Sequence, residues 1–192
     1  MDYFLYEQLK NKCVGIAGAG GLGSNCAVAL ARVGIGKLII ADYDLVSESN
    51  LNRQYYFTDQ IGILKVDALK ENISKISTFT EVEIHNTRLT KESIINIYKN
   101  CDIIVEAFDK AEMKQMIIET ILSHFPVKYI VSGSGMAGWG NNNIINTKQF
   151  GKLFICGDGI TEVSDTKAPM APRVGIVANM QANQVLEILL AK

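Results

Sequence analysis

The chain has 192 residues, 48% of them hydrophobic, and its 19 basic and 20 acidic side chains leave a net charge of −1. That length suits one well-buried domain, and the balanced charge argues against a broad nucleic-acid footprint. No stretch approaches the roughly 18 apolar residues of a membrane span, and the acidic start Met1–Glu7 lacks the basic flank and apolar core of a secretory signal. The expectation is a single cytoplasmic domain over residues 1–192.

In chain order, Cys13–Ala17 is a short apolar run ending at a glycine turn, which predicts a buried parallel strand. Helix formers follow from Leu22 to Val33, closed by Gly34. Lys37–Ala41 reads as a second strand with Asp42 at its carboxyl end. Strand, glycine turn, helix and strand make a βαβ unit. The alternation continues with an apolar helical face at Val66, Leu69, Ile73 and Ile76, then an alternating strand around Val82 and Ile84. Thr90 is placed to cap a helix carrying Ile94, Ile97 and Tyr98. Ile103–Val105 predicts a strand leading to Glu106 and Asp109, and a helix over 111–123 precedes the strand Tyr129–Val131. Beyond it, glycines and the run Asn141–Asn143 punctuate the chain. Ile144–Ile145 and Leu153–Ile155 are expected as antiparallel strands, Gly157–Met170 as a surface loop, and Pro172 as the first turn of a final helix to Leu190. The sum is a doubly wound, Rossmann-like α/β sheet, mostly parallel, with an antiparallel extension in the C-terminal third.

Gly18, Gly20 and Gly23 form GxGxxG between a strand and a helix, the context that motif needs. Glycines let backbone amides approach a phosphate at the helix amino terminus. Asp42 lies about 20 residues further on, where a carboxylate accepts from ribose hydroxyls. This pattern is equally compatible with NAD, FAD or ATP. The residues that follow point toward phosphorus chemistry: Asp44, then Asn50, Arg53, Gln54 and Lys65. Fixed cations offset the charge that builds up when a phosphate is attacked, whereas a dehydrogenase has no evident need for them. Asp109, at the edge where open α/β sheets bind ligands, is a carboxylate suited to Mg²⁺. Taken singly, Arg53 and Lys65 read equally well as a solvated pair and Asp109 as a helix cap. The four cysteines and two histidines show no zinc-ligand spacing, so no zinc is expected.

The segments GAGGLGS, DYDLVSESNLNRQ, GILK, EAFD and APRVGIVANMQANQVLEIL resemble the ThiF/MoeB/HesA group of ubiquitin-activating-enzyme-like adenylyltransferases, and most of all its short ThiF form. The resemblance implies ATP-dependent adenylation of the terminal glycine carboxylate of a small β-grasp sulfur carrier ending in Gly-Gly, ThiS in the thiamine pathway, by a homodimer. On that reading Gly21 lines the nucleotide, Asp42 holds the ribose, Asn50 and Arg53 contact the phosphates, Lys65 neutralises the triphosphate and Asp109 binds Mg²⁺.

Departures from that pattern matter too. The paired CxxC zinc module of longer relatives is absent, and no arginine lies in the first dozen residues to reach a neighbouring subunit; Arg173 is a possible substitute. Lys110 stands where relatives usually have Asn. Cys156, before Gly157-Asp158-Gly159, reads either as a thiol on an exposed loop, for sulfur transfer or a covalent carrier adduct, or as a strand-end thiol with no catalytic duty. Trp139 is placed either over the nucleotide, in a carrier groove or in a small local core. Competing functions are activation of a carboxylate on modified tRNA, a dinucleotide-dependent oxidoreductase, and a binding module without turnover.

Overall fold

The structure, a computed structural model, describes residues 3–191; Met1, Asp2 and Lys192 of the expected 1–192 domain lie outside the described residues. Helix α1 (Tyr3–Leu9), which the sequence reading did not anticipate, leads into β1 (Cys13–Ala17), α2 (Gly21–Arg32) and β2 (Lys37–Asp42). Then come α3 (Lys65–Ser74), β3 (Glu81–Asn86), α4 (Lys91–Tyr98), β4 (Ile103–Glu106), α5 (Ala111–His124) and β5 (Tyr129–Gly133). The hairpin β6 (Asn146–Phe150) and β7 (Leu153–Gly157) precedes the long α6 (Ala171–Leu190).

These strands form one seven-stranded sheet in the order β3-β2-β1-β4-β5-β7-β6. Every pairing is parallel except β6 with β7. The chain leaves β5 for the sheet edge, runs back as β6, and turns at Gly151 to insert β7 beside β5, so the antiparallel extension predicted for the C-terminal third is present. Its first strand starts later than expected. Ile144 sits in a 3-10 turn, Asn142–Ile144, entered through Asn141 at φ 52, and the strand begins at Asn146. A left-handed residue reverses the chain there, which an extended run of two isoleucines cannot survive.

Alternation along the strands divides the core between the two faces of the sheet. Val14, Ile16, Leu38, Ile40, Val105 and Val131 meet α2, α3 and α6 on one face. Ala17, Ile39, Ala41, Ile104 and Ile130 meet α4 and α5 on the other. Helix ends follow local chemistry: the Thr90 hydroxyl accepts the Ser93 amide at 3.2 Å, and proline stands in the first turn of α6. The strand order reverses between β1 and β4, which opens a crevice at their carboxyl ends.

Candidate functional site

The site begins with the glycine turn after β1. Gly18 has φ +97, and a Cβ there would lie 2.9 Å from the Ala107 carbonyl. A Cβ on Gly23 would stand 1.8 Å from the Gly18 carbonyl, so α2 packs directly onto the turn. Gly20, by contrast, would meet nothing closer than the Gln54 side chain at 3.9 Å. Its open side is where a ligand can approach the backbone.

A web of side chains joins this turn to the segment after β2. Ser24 donates to the Gly20 carbonyl and accepts the Tyr55 amide; Asn25 Nδ2 donates to the carbonyls of Gly21 and Arg53. The buried Tyr56 hydroxyl donates to the Ala19 carbonyl at 2.7 Å. The two sequence motifs are therefore one rigid unit, with Arg53 held beside α2.

The carboxyl ends of β1, β2, β4 and β5 converge on a cleft of about 810 Å³. Of the predicted residues, Gly18, Gly20, Gly21, Asp42, Asp44, Arg53, Lys65 and Asp109 line it. Asp42 accepts the Ala19 amide at 2.6 Å on one oxygen and the Asp44 amide at 2.8 Å on the other, which leaves each oxygen a second lone pair. Lys65, almost wholly buried, sends Nζ to Asp44 Oδ2 at 2.9 Å. Arg53 Nη1 donates to the Ser49 carbonyl and to Asn52 Oδ1. Asp109 is exposed and has no hydrogen-bond or ion-pair partner among the described residues.

Gly23 and Asn50 do not line the cleft. Gly23 is buried against Gly18, and Asn50 Oδ1 accepts the Ser47 amide at 3.2 Å to close its own turn. Lys110 lines the cleft as the residue before α5. Gln54 also faces it, with a buried Oε1 that has no partner among the described residues.

Three expectations are corrected. Cys156 is buried in β7, within the core that α2 and α6 cover, and burial raises its thiol pKa against the opposing hydrogen bond from Thr147. It belongs to the strand and not to the loop after it, so it offers no accessible thiolate. Arg173 is only 3% exposed, and its guanidinium donates to the Gly140 carbonyl and to Asp158 Oδ2. It clamps the loop after β7 outside the cleft and cannot stand in for a reaching arm. Trp139 is 72% exposed and outside the cleft lining, so it packs neither over the site nor in a local core.

Sequence reasoning missed a buried network beneath the cleft, of which Lys114 alone lends its side chain to the lining. Glu106, fully buried, accepts Lys114 Nζ, the Ser132 hydroxyl and the Phe108 amide. Lys114 also donates to the Gly133 carbonyl at 2.9 Å, locking β4, β5 and α5 together. The only signal was an acidic residue ending a buried strand, with its partner a helix away. Arg88 joins the cleft from the β3 side, and Glu162 from the loop after β7.

The cleft holds groups that can meet a polyanion. It offers backbone amides at a helix start, a planar arginine fork and a lysine point charge. A free carboxylate oxygen donor at Asp109 fits Mg²⁺, which takes one or two carboxylates and fills the rest of its shell with phosphate and water. Among the described residues, no three His, Cys, Asp or Glu side chains gather as a metal cluster, and no helix is long and apolar enough to cross a membrane.

Comparison with known proteins bears on the same arrangement. The adenylyltransferase and sulfurtransferase UBA4 of Scheffersomyces stipitis is 32% identical over 190 residues, covering 95% of this chain and 42% of the relative. The adenylyltransferase and sulfurtransferase MOCS3 of Dictyostelium discoideum is 33% identical over 189 residues, covering 94% and 44%. The chain thus spans about two fifths of the length of these curated relatives. The crystal structure of E. coli tRNA N6-threonylcarbamoyladenosine dehydratase, TcdA, in complex with AMP superimposes with a TM-score of 0.89 at 19% identity, covering 98% of this chain and 90% of that one, a likeness of fold. The model of the ThiF family matches residues 2–192, and with that near-complete span the chain belongs to the ThiF family.

Proposed function

We propose that the chain is an adenylyltransferase that uses ATP to activate the C-terminal glycine carboxylate of a small β-grasp sulfur carrier, ThiS-like and ending in Gly-Gly, for thiazole formation in thiamine biosynthesis. The observation that carries this reading is the gathering of Arg53, Lys65 and the unpartnered Asp109 around one glycine turn. The names of the UBA4 and MOCS3 relatives support the adenylyltransferase class.

In this reading the glycine-turn amides and Arg53 hold the phosphates, Asp42 accepts from the ribose, and Lys65 leaves Asp44 to face the triphosphate. Asp109 would hold Mg²⁺, which supplies charge neutralisation. A carrier carboxylate oxygen attacks the α-phosphorus, the bond to the β,γ-pyrophosphate breaks, and an acyl-adenylate remains. No side chain need act as general base, because a carboxylate is already ionised near neutral pH. Catalysis rests on positioning and on fixed charge. A homodimer in the cytoplasm is part of the proposal, closed two-fold pairing being the commonest assembly.

The deciding experiment is ATP–pyrophosphate exchange with and without a carrier ending in Gly-Gly. Carrier-dependent exchange supports the proposal. Exchange driven by modified tRNA instead, or binding of NAD in preference to ATP, overturns it.

A further inference from the structure

At the opposite end of the sheet from the cleft, two thiols that the proposed reaction does not use face each other. Cys13 opens β1 and Cys101 precedes β4; 88 residues separate them in sequence, yet their sulfurs lie 3.7 Å apart. Their backbones are tied as neighbours, since the Asp102 amide donates to the Cys13 carbonyl and the Cys13 amide donates to Asp102 Oδ2, both at 2.8 Å. The register sets Cys13 beside Asp102, with Cys101 one residue further back, a diagonal of roughly 6 Å between Cα atoms from strand spacing and rise, which lies in the range a disulfide spans. A disulfide bond is about 2.05 Å long, so the sulfurs need close by only about 1.7 Å.

The two thiols differ in access. Cys101 is 2% exposed, whereas Cys13 is partly open to a hollow of about 370 Å³. Lys37, Glu83, His85 and Lys99 also line that hollow. The Lys99 ammonium has no partner among the described residues, and Lys37 bridges Glu81 and Glu83. The hydrogen bond with Cys101 lowers the Cys13 thiol pKa, partial burial works against this, and the charge of Lys37 adds to the lowering. The same contact and burial raise that of Cys101. An accessible thiol of lowered pKa beside a buried partner is the arrangement of an attacking and a resolving cysteine.

We propose that Cys13 and Cys101 form a redox-active dithiol that exchanges with a small anionic disulfide of the glutathione type, bound in this hollow with a carboxylate on Lys99. The Cys13 thiolate attacks one sulfur of the small disulfide, a mixed disulfide forms, and one small thiolate leaves. Cys101 then gives up its proton and attacks the Cys13 sulfur, expelling the second thiolate. The protein pair loses two electrons and two protons, and the small disulfide gains them as two thiols. Cys26 and Cys156, buried in the core on the other face of the sheet, take no part.

The test incubates the full chain with oxidised glutathione, alkylates it under denaturing conditions and maps it by mass spectrometry. Expected is a product two hydrogens lighter, with two of the four thiols lost to alkylation and a Cys13–Cys101 link that dithiothreitol reverses. In C101S the mixed disulfide on Cys13 should persist instead of resolving. A stable glutathione adduct on wild-type Cys13, a link involving Cys26 or Cys156, or no reaction at all overturns the proposal. The wild-type outcome decides the matter even if C101S fails to fold.

Discussion

Lys65→Met separates the proposed role of Lys65 in turnover from its role in the fold. The Lys65 side chain is 7% exposed and its partner Asp44 is 52% exposed, with 2.9 Å between Nζ and Oδ2. A pair with one member half in water is worth at most about 1 kcal/mol. Methionine keeps the stem volume at the start of α3, and the freed Asp44 carboxylate remains solvated. Stability should therefore fall by no more than about 1 kcal/mol, or roughly 2–4 °C in Tm for a chain of this size. Loss of a fixed charge that acts on the reacting phosphate costs about 2.7–4 kcal/mol of barrier, or roughly 10²–10³-fold in rate. Carrier-dependent pyrophosphate exchange, measured alongside thermal unfolding, reads both quantities. Exchange within about threefold of wild type, a barrier change under about 0.7 kcal/mol, refutes the assignment of Lys65 to the triphosphate.

Three further outcomes follow from the same geometry. Asp109→Asn should leave Tm unchanged, because the carboxylate is exposed and unpartnered. It should raise the Mg²⁺ needed for half-maximal exchange by roughly tenfold, from about 1–2 kcal/mol of lost attraction for a divalent ion; an unchanged Mg²⁺ titration removes Asp109 as a ligand. Gly23→Ala puts a methyl 1.8 Å from the Gly18 carbonyl and should destabilise the fold by about 3 kcal/mol or more, as read by urea unfolding. Gly20→Ala, with open space around it, should spare stability and weaken ATP binding, as read by calorimetric titration.

A last outcome concerns the clamp on the loop after β7. Burial opposes ionisation of Asp158, but the amides of Thr161 and Ile160, the Thr161 hydroxyl and Arg173 outweigh it and hold the carboxyl below its ordinary value. A depressed pKa contributes stability above the unfolded value, near pH 3.9, and that contribution is lost as pH falls through the folded value. Asp158→Asn should cost about 3–5 kcal/mol at neutral pH by leaving Arg173 buried without its counter-charge. It should also flatten the loss of stability that wild type shows below about pH 4. A neutral-pH unfolding curve that matches wild type would contradict the clamp.

Much of the architecture was legible because its signals are local. The β1 run, the glycine turn, α2 and β2 occupy one stretch whose apolar spacing and glycines can satisfy only a strand, a tight turn, a buried helix and a strand. Several residues at the cleft follow from the same kind of signal, since a strand carries its carboxyl end to one edge and whatever follows it sits there. Asp42 and Asp109 were placed by that rule alone. The short helix α1 carried no such periodicity, and the onset of β6 depended on Asn141 adopting a left-handed conformation.

What local pattern cannot encode is which side chain meets which across the sheet. Whether Cys156 reaches solvent, whether Arg173 faces the cleft or Asp158, and whether Glu106 finds Lys114 are settled by packing between elements far apart in the chain. So is the approach of Cys13 to Cys101, separated by 88 residues. Buried polar groups must be paired, and the chain alone does not say with what. Residue order therefore determined the βαβ alternation and the sheet edge at which the cleft lies, through backbone sterics and hydrophobic periodicity. Only the folded sheet decided which charges face the cleft and which are spent holding the protein together.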